Sequence, residues 1–296
     1  MDVLPFYIAK DRMFYKKIVS LPFDGAYGCN IQINKRSLST DMIHSLVKWS
    51  KENKINLIEI RTRCQNAILE NCGFMAYPNL ICHEIKLTNM DVAWANLTKG
   101  HKWSVNKFKK KNYRISFESN FEDLKCFYKI MSKNMRLYGT PMYPFSYFKN
   151  LWEEYKGKDN VKLLKCMDGE KIIGGALILI NHETAIYKYC SVTPTHIKDG
   201  IYHGMLWNAI QYCINSNCKY LNLGTSFIND DGLIYFKNAF GANKYIVYSY
   251  LYNEKTLKYQ TVEQLQHKYR YLIKGWRYLP LPLTEFFSEI FWKNFC

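Results

Sequence analysis

The stretch from Val161 to Tyr252 constrains the fold of this chain more than any other part of the sequence. Two apolar runs, Val161–Cys166 and Lys171–Ile180, flank the tetrapeptide Met167-Asp168-Gly169-Glu170. An Asp-Gly pair between apolar runs is a strong signal for a β-hairpin. A third run, Thr184–Val192, follows a short polar segment. This order predicts three consecutive strands.

A helix, a short helix and two more strands are predicted after the third strand. Apolar residues recur there at helical spacing; they are Ile201, Met205, Leu206, Ile210, Cys213 and Ile214. A short strand is predicted over Lys219–Leu223, with a turn from Gly224. The segment Gly232–Gly241 and a last strand over Lys244–Tyr252 complete the unit.

Four phrases in this order resemble the second half of the FemAB family, the peptidoglycan-bridge aminoacyltransferases and their relatives. The phrases are Gly174-Gly175-Ala176, Tyr187–Val192, Leu221–Gly224 and Phe236-Lys237-x-x-Phe240-Gly241. The resemblance implies an α+β fold of two GNAT-like mixed-sheet halves in tandem. We therefore expect a short N-terminal half over 1–90, a transferase half over 91–252 and a helical, basic and aromatic tail over 253–296.

The N-terminal half shows an α/β pattern without a catalytic constellation, and we expect it to serve as a scaffold. Ser39 is a predicted helix cap, and the helix after it has an apolar face that includes Ile43 and Leu46. Strands are expected over Leu4–Ala9, Tyr15–Leu21, Asn30–Asn34, Ile55–Arg61 and Leu80–Leu87, with a turn at Gly25–Gly28.

Composition places the chain among globular proteins. Its 296 residues are enough for two domains, and 48% of them are hydrophobic. The longest apolar run falls well short of the roughly 20 residues that a membrane-spanning helix needs. The N-terminus lacks a basic region ahead of an apolar stretch, so no secretory signal is expected. The ten cysteines include no C-x-x-C pair, which predicts reduced thiols, no metal site and a cytoplasmic protein.

The formal net charge of +16 predicts either a polyanionic partner, such as RNA, anionic lipid or a pyrophosphate-bearing substrate, or a lysine-rich surface that only keeps the protein in solution. Basic residues are concentrated between the two halves, and the predicted nucleic-acid-binding set is Lys107, Lys109, Lys110, Lys111 and Arg114. Trp103, Phe108 and Tyr113 lie among them, a pattern that suits phosphate neutralisation with base stacking. A solvated helix face whose aromatic residues turn to the core fits equally well.

The resemblance also implies how the donor is bound. GNAT enzymes splay two neighbouring strands, and the helix that follows offers its N-terminal N–H groups to the donor's pyrophosphate. Acetyl-CoA enzymes usually have R/Q-x-x-G-x-G/A at that turn. The corresponding segment here, Thr195–Gly204, lacks the tight G-x-G/A element. We therefore expect aminoacyl-tRNA as the donor and no resident cofactor, with acyl-CoA as the alternative co-substrate.

Lys237, in the Phe-Lys phrase, is the predicted catalytic residue, since the resemblance implies a lysine near the reacting ester or its phosphates. An exposed lysine on a short helix, without a catalytic role, is the alternative. His203 is the candidate general base because its unperturbed pKa is near neutrality. The predicted substrate-binding residues are Phe236, Tyr187, Tyr189, Tyr202 and Trp207. By the period of two, Tyr187 and Tyr189 should share one strand face. Core packing is the alternative role for His203 and for the aromatic residues.

The expected function is transfer of an amino acid from aminoacyl-tRNA to an amine of an anionic cell-wall or glycan precursor. The alternatives are a GNAT-fold N-acyltransferase that uses acyl-CoA and a non-catalytic RNA- or membrane-binding protein. Trp276-Arg277-Tyr278-Leu279-Pro280-Leu281 resembles the end of FemAB-like proteins. The aromatic tail is expected either to contact the inner face of the membrane peripherally or to pack on the body of the protein.

Overall fold

The computed structural model describes residues 6–10, 16–20, 39–155, 158, 160–252 and 270–295. The strands in these residues are β1 (Tyr7–Lys10), β2 (Lys16–Val19), β3 (Leu57–Thr62), β4 (Met75–Lys86), β5 (Tyr113–Ser116), β6 (Val161–Asp168), β7 (Lys171–Asn181), β8 (Thr184–Val192), β9 (Tyr220–Phe227) and β10 (Asn243–Tyr252). The helices are α1 (Thr40–Glu52), α2 (Ala67–Asn71), α3 (Met90–Ala95), α4 (Lys99–Lys109), α5 (Phe121–Tyr138), α6 (Phe145–Glu154), α7 (Ile201–Asn215), α8 (Asp231–Asn238), α9 (Arg270–Trp276) and α10 (Leu281–Phe295). A 3-10 helix covers Pro194–Asp199.

All of these strands form one mixed ten-stranded sheet in the order β1-β2-β3-β10-β4-β9-β8-β7-β6-β5. Neighbouring strands run antiparallel except in the pairs β2–β3 and β8–β9, which are parallel. The 3-10 helix and α7 form the crossover between β8 and β9, as a parallel pair requires. This mixed sheet with helices confirms the α+β class predicted from the sequence.

Strands from the two predicted halves alternate at the centre of the sheet. β4 lies between β9 and β10, and β10 in turn lies between β3 and β4. Val247 of β10 pairs with Leu80, and Tyr250 pairs with Ile60 on the other side. The sheet is therefore continuous across both predicted halves, and their boundary near residue 90 stays a prediction.

The elements predicted between Val161 and Tyr252 are present. Two-residue turns connect β6 to β7 and β7 to β8, because Asp168 pairs with Lys171 and Asn181 pairs with Thr184. Gly169 begins the first turn with φ of 56°, in the left-handed region that favours glycine. The strong hairpin signal of the sequence is thus confirmed.

The predicted cap of α1 is also confirmed, since the Ser39 hydroxyl accepts a hydrogen bond from the backbone N–H of Met42 at 3.2 Å. Ile43 and Leu46 of α1 are buried in a core with Ile58 and Ile60 of β3. The predicted Gly25–Gly28 turn and Asn30–Asn34 strand lie outside the described residues.

Helices cover both faces of the C-terminal part of the sheet. On one face α4 and α7 cross closely, because α7 has glycines where α4 approaches it. A Cβ on Gly204 would lie 2.2 Å from the Phe108 ring, and one on Gly200 would lie 2.6 Å from the Ser104 carbonyl oxygen. These glycines, which belong to the segment Thr195–Gly204, thus permit helix packing. On the other face α5 and α6 pack against Leu163 and Leu177.

The tail packs on the body with one side of α10 and exposes the other. Trp292 stacks on Tyr143 at 4.2 Å between ring centroids, and Glu285 accepts a hydrogen bond from the Ser132 hydroxyl at 3.0 Å. Phe286 and Phe287 on the outer side are 57% and 42% exposed. Residues 253–269 of the predicted tail lie outside the described part of the chain. Among the described helices, none is both long enough and apolar enough to span a membrane.

Replacing Gly204 by alanine should disrupt the crossing of α4 and α7. The new methyl group would overlap the Phe108 ring, and overpacking of this kind costs about 1–3 kcal/mol. Urea unfolding monitored by circular dichroism measures the change in free energy of unfolding. Gly100→Ala in α4 is the matched control, since a Cβ placed there would meet no neighbour within 4 Å among the described residues. Equal stability of the two variants would contradict the packing role of Gly204.

Candidate active site

The parallel strands β8 and β9 separate after a short paired region. Among the described residues they pair only over Thr184–Ile186 and Tyr220–Asn222. Beyond this region β8 stays paired with β7 up to Val192, and β9 stays paired with β4 up to Phe227. The space between Tyr187–Val192 and Leu223–Phe227 is called the strand gap below.

Both strands that border the strand gap contain a β-bulge where they diverge. In β8 the extra residue is Lys188, because its neighbours Tyr187 and Tyr189 pair with the consecutive residues Ile178 and Leu177. In β9, Leu223 and Gly224 together lie opposite a single β4 residue. Bulges bend a strand and increase its twist, so they direct the two strands apart.

Asn222 fixes the bend in β9. Its side-chain oxygen accepts a hydrogen bond from the backbone N–H of Gly224 at 2.6 Å. Gly224 has φ of 70°, in the left-handed region that a glycine adopts without strain. This local turn takes up an N–H group that a regular strand would offer to its neighbour. The phrase Leu221–Gly224 therefore contains the residues that open the gap.

A cavity of about 350 Å³, the gap cavity, fills the strand gap and the space next to it. It is bordered by β8, β9, α7 and α8. Its lining residues are Tyr187, Lys188, Cys190, Tyr202, Leu206, Leu223, Gly224, Thr225, Leu233, Phe236 and Lys237. Leu206 and Leu223 are buried at its floor, whereas Leu233 is 37% exposed at its rim.

Lys237 places a cation beside the gap. Its side chain is only 7% exposed, and Nζ donates to the carbonyl oxygens of Thr225 at 2.9 Å and Gly224 at 3.4 Å. Both carbonyls belong to the part of β9 that has left β8. The ammonium group is thus held at the point of divergence by the backbone of the diverging strand.

The other residues of the Phe-Lys phrase anchor α8. Phe236 lines the cavity and packs against Phe240 at 5.4 Å between ring centroids, and Phe240 is buried. Gly241, in the turn after the helix, has φ of 81°, and a Cβ there would lie 2.8 Å from the Cβ of Asn96. The phrase therefore fixes the position of α8, and with it that of the Lys237 side chain.

Tyr187, Tyr202 and Cys190 border the cavity as neutral groups. The Tyr187 hydroxyl donates to the Cys190 sulfur at 3.1 Å. Burial raises the pKa of both tyrosines well above the usual value, and it raises the pKa of the Cys190 thiol to about 12. These side chains can shape the cavity but do not supply an anion near neutral pH.

Tyr189 faces the opposite side of the sheet from Tyr187, so the prediction that the two share one face is wrong. The bulge at Lys188 inserts one residue between them and reverses the alternation. Tyr189 packs with Phe148, and its hydroxyl donates to the Tyr147 hydroxyl at 3.3 Å. It does not belong to the lining of the gap cavity.

His203 and Trp207 lie behind the cavity wall, outside its described lining. His203 packs against Phe236 at 5.1 Å and against His101 at 4.7 Å between ring centroids. Burial and then the neighbouring His101 lower the pKa of His203 to about 4, so its ring is neutral at pH 7. Trp207 is buried and packs edge-on against Trp94. The role of His203 as a general base stays a prediction.

The predicted basic set lies on and just after α4. Lys107 donates to the Lys198 carbonyl oxygen at 2.7 Å, and Lys111 pairs with Asp199 at 3.2 Å. Lys109 lies over the Trp94 ring, Lys110 is exposed, and Arg114 contacts the sulfur of Met167. These contacts join the basic segment to the 3-10 helix before α7.

The aromatic residues of that segment have different environments. Phe108 is 5% exposed and packs in the core, and the Tyr113 hydroxyl donates to Asp199 at 2.8 Å. Trp103 is 65% exposed, with the Lys107 ammonium 5.4 Å from its ring centroid. The alternative of inward-turned aromatics therefore holds for Phe108, while Trp103 keeps an accessible ring.

His83 is a component of the site that sequence reasoning missed. It is the β4 residue opposite the β9 bulge, and it is fully buried. Its Nδ1 lies 3.2 Å from the side-chain oxygen of Asn238, the residue after Lys237. In the described residues its Nε2 has no hydrogen-bond partner. Burial, followed by the charge of Lys237, lowers the pKa of His83 to about 4.

Two further features of the described residues concern other kinds of ligand site. In that part, no group of three or more His, Cys, Asp or Glu side chains is arranged to hold a metal ion. A larger cavity there, of about 780 Å³, lies beside Phe121 and Trp152.

Residues 101–238 match the family model described as an acetyltransferase (GNAT) domain. A sequence comparison with curated proteins gave no match. The crystal structure of FemX is similar with a TM-score of 0.65 at 13% identity, over 92% of this chain and 87% of that chain. L-PGS from Bacillus licheniformis is similar with a TM-score of 0.56 at 11% identity, over 85% of each chain.

A tandem GNAT protein from the clavulanic acid biosynthesis pathway gives a TM-score of 0.51 at 8% identity, over 82% of this chain and 76% of that chain. At such identities the structural likeness establishes the fold. The chain therefore has the GNAT fold predicted from the sequence. Together with the family match over 101–238, this supports an acyltransferase.

The buried His83 should make the protein less stable in mild acid. The unfolded chain binds the proton near pH 6.5, whereas the folded protein does so only near pH 4. Between these values the free energy of unfolding should fall as the pH falls, by up to about 3 kcal/mol from this residue. His83→Gln should reduce that dependence in urea unfolding from pH 7 to 4.5, with the part due to the buried His203 remaining. His44→Gln, on the exposed side of α1, is the control, and an unchanged slope in His83→Gln would contradict the assignment.

Proposed function

We propose that this protein transfers an aminoacyl group from aminoacyl-tRNA to an amine of an anionic cell-wall or glycan precursor. The observation that supports this most is the buried Lys237 ammonium at the strand gap, held by the carbonyl oxygens of Thr225 and Gly224. The reaction takes place beside that ammonium, with the aminoacyl group in the gap cavity.

The chemistry is aminolysis of an ester. The acceptor nitrogen forms a bond to the carbonyl carbon of the aminoacyl group, and the bond from that carbon to the ribose oxygen of the tRNA breaks. The nitrogen loses a proton, and the departing ribose oxygen gains one. The carbonyl oxygen becomes an oxyanion on the way, so a preorganised cation beside it lowers the barrier. Lys237 is that cation in the proposal.

Binding the donor and the acceptor together is chiefly a matter of position. The strand gap offers backbone groups of β8 and β9 that do not pair with each other, and α8 fixes the cation next to them. Lys237 can therefore serve an ester that enters the gap without a large rearrangement. This arrangement fits acyl transfer better than it fits a purely structural role for the cavity.

The basic segment supports a nucleic-acid donor. Lys109 at the end of α4 and Lys110 just after it are exposed, and α4 contacts α8 through His101 and Phe236. Exposed cations neutralise phosphates, and an accessible Trp103 can stack on a base. The net charge of +16 favours approach of a polyanion as large as tRNA.

The structural comparisons are compatible with this donor. L-PGS from Bacillus licheniformis has a similar fold. A related match is the C-terminal domain of a putative lysylphosphatidylglycerol synthetase from Agrobacterium fabrum, with a TM-score of 0.53. That name contains an aminoacyl group, which supports amino-acid transfer as the chemistry of this fold here as well.

A second candidate is N-acylation from an acyl thioester such as acyl-CoA. It is favoured by the apolar floor of the gap cavity, where Leu206 and Leu223 are buried. A simple acyl chain would fit such a floor. Against it, Tyr202 lies at the start of α7, where a pyrophosphate would need open N–H groups. The non-catalytic alternative predicts no turnover with either donor.

Lys237→Met should lower transfer by about 10²–10³-fold, the effect of removing one oxyanion-stabilising group. Methionine keeps the length and apolar stem of the side chain but not the charge. The assay incubates an amine-bearing peptidoglycan precursor with charged tRNA or with acyl-CoA, and mass spectrometry measures the product. Lys244→Met, at an exposed position of β10, is the matched control and should retain activity.

The choice of donor in this assay distinguishes the three candidate functions. Product from charged tRNA that depends on Lys237 supports the proposal. Product from acyl-CoA alone would favour the thioester candidate, and no product from either donor would favour the non-catalytic one. Full activity of Lys237→Met would contradict the role given to the cation.

A further inference from the structure

The walls of the gap cavity are mostly apolar. Leu206 is 1% exposed and Leu223 is 5% exposed, so both present hydrocarbon to the cavity from beneath. Phe236 adds an aromatic face from α8, and Leu233 adds another aliphatic side chain at the rim. A group that enters this cavity exchanges water for hydrocarbon contact, which favours apolar groups.

Two hydroxyl groups of the wall are already engaged within the protein. The Tyr187 hydroxyl donates its proton to Cys190 at 3.1 Å. The Tyr202 hydroxyl has a hydrogen bond with the backbone of Val192. These groups therefore give little replacement for the water that a charged side chain would lose on entering.

The charge at the cavity has one sign. None of the eleven described lining residues is acidic, and two of them, Lys188 and Lys237, are basic. The Lys237 ammonium is fixed at the gap by two carbonyl oxygens. A second cation brought into this cavity would lose its hydration, would find no carboxylate among these residues and would be repelled by Lys237.

We infer that the gap cavity selects donors with an uncharged, apolar amino-acid side chain and rejects lysyl and arginyl donors. This inference rests on the proposed function, since it assumes that the aminoacyl group enters the strand gap. The α-amine is common to all aminoacyl donors and does not distinguish them. The side chain is therefore the part that the cavity walls discriminate.

The cavity size is consistent with this class. A volume of about 350 Å³ accommodates side chains from alanine up to the larger aliphatic residues. The selectivity thus arises from charge and polarity rather than from size, because lysine and methionine have similar lengths. Methionyl and lysyl donors form the sharpest pair for comparison.

Binding of short donor analogues tests the inference without an acceptor. The probes are 3′-aminoacylamino-3′-deoxyadenosines, whose amide bond replaces the reactive ester, with leucyl, methionyl, lysyl or arginyl groups. Isothermal titration of the full-length protein gives their affinities. We expect the leucyl and methionyl probes to bind at least about 30-fold more tightly than the lysyl and arginyl probes, because a buried unpaired charge is strongly unfavourable.

A charge introduced at the rim should change the preference. Leu233 is the third residue of α8, a position where glutamate is favourable because it lies in the first turn of the helix. Leu233→Glu should lower the ratio of methionyl-probe affinity to lysyl-probe affinity by about tenfold, since it supplies a carboxylate that can pair with the lysyl ammonium group. Leu233→Gln has the same shape without the charge and should keep the ratio of the wild type.

The outcomes separate this inference from the proposed function. Tight binding of the uncharged probes with weak binding of the lysyl probe supports both. Equal binding of the methionyl and lysyl probes overturns the selectivity and leaves the donor class intact. Binding of none of the probes overturns the aminoacyl donor and the selectivity together. If Leu233→Gln lowered this affinity ratio as much as Leu233→Glu does, the charge of the glutamate would not be the cause of the change.

Discussion

The divergence of β8 and β9 is the constraint on which the rest of the site depends. A parallel pair would normally continue to bond along its length, but the Gly224 N–H is taken by the Asn222 side chain at 2.6 Å. The bulge at Lys188 bends the neighbouring strand at the same level. Two local features, each one or two residues long, thus create an opening in the middle of a ten-stranded sheet.

The opening explains where the cation lies. The carbonyl groups of Gly224 and Thr225, which have left the β8 ladder, hold the Lys237 ammonium instead. Buried charges are unfavourable unless polar groups surround them, and the bent strand supplies those groups. Phe240 and Gly241 then fix α8, so that the cation stays beside the gap. The bend in β9 therefore both opens the strand gap and supplies the carbonyl groups that position the Lys237 ammonium group.

The sequence was sufficient for the elements between Val161 and Tyr252 and for placing Lys237 beside a cleft, because hairpin signals, helical spacing and the Phe-Lys phrase are local. The catalytic role of Lys237 stays a prediction. The sequence was insufficient where distant residues meet. His83 lies in an apolar strand pattern, and its contact with Asn238 joins positions 155 residues apart. The side of the sheet predicted for Tyr189 was wrong because a one-residue bulge leaves no trace in a period-of-two sequence pattern. The alternation of β4 and β10 likewise depends on pairing across the whole chain.

The strand gap is the proposed binding place of the donor. Hydrogen exchange measured by mass spectrometry, with and without 3′-leucylamino-3′-deoxyadenosine, tests it directly. We expect the analogue to slow exchange in peptides covering Tyr187–Val192 and Leu223–Phe227, where the two strands do not pair with each other. Bound analogue with unchanged exchange in both segments, or protection confined to another part of the protein, would contradict it.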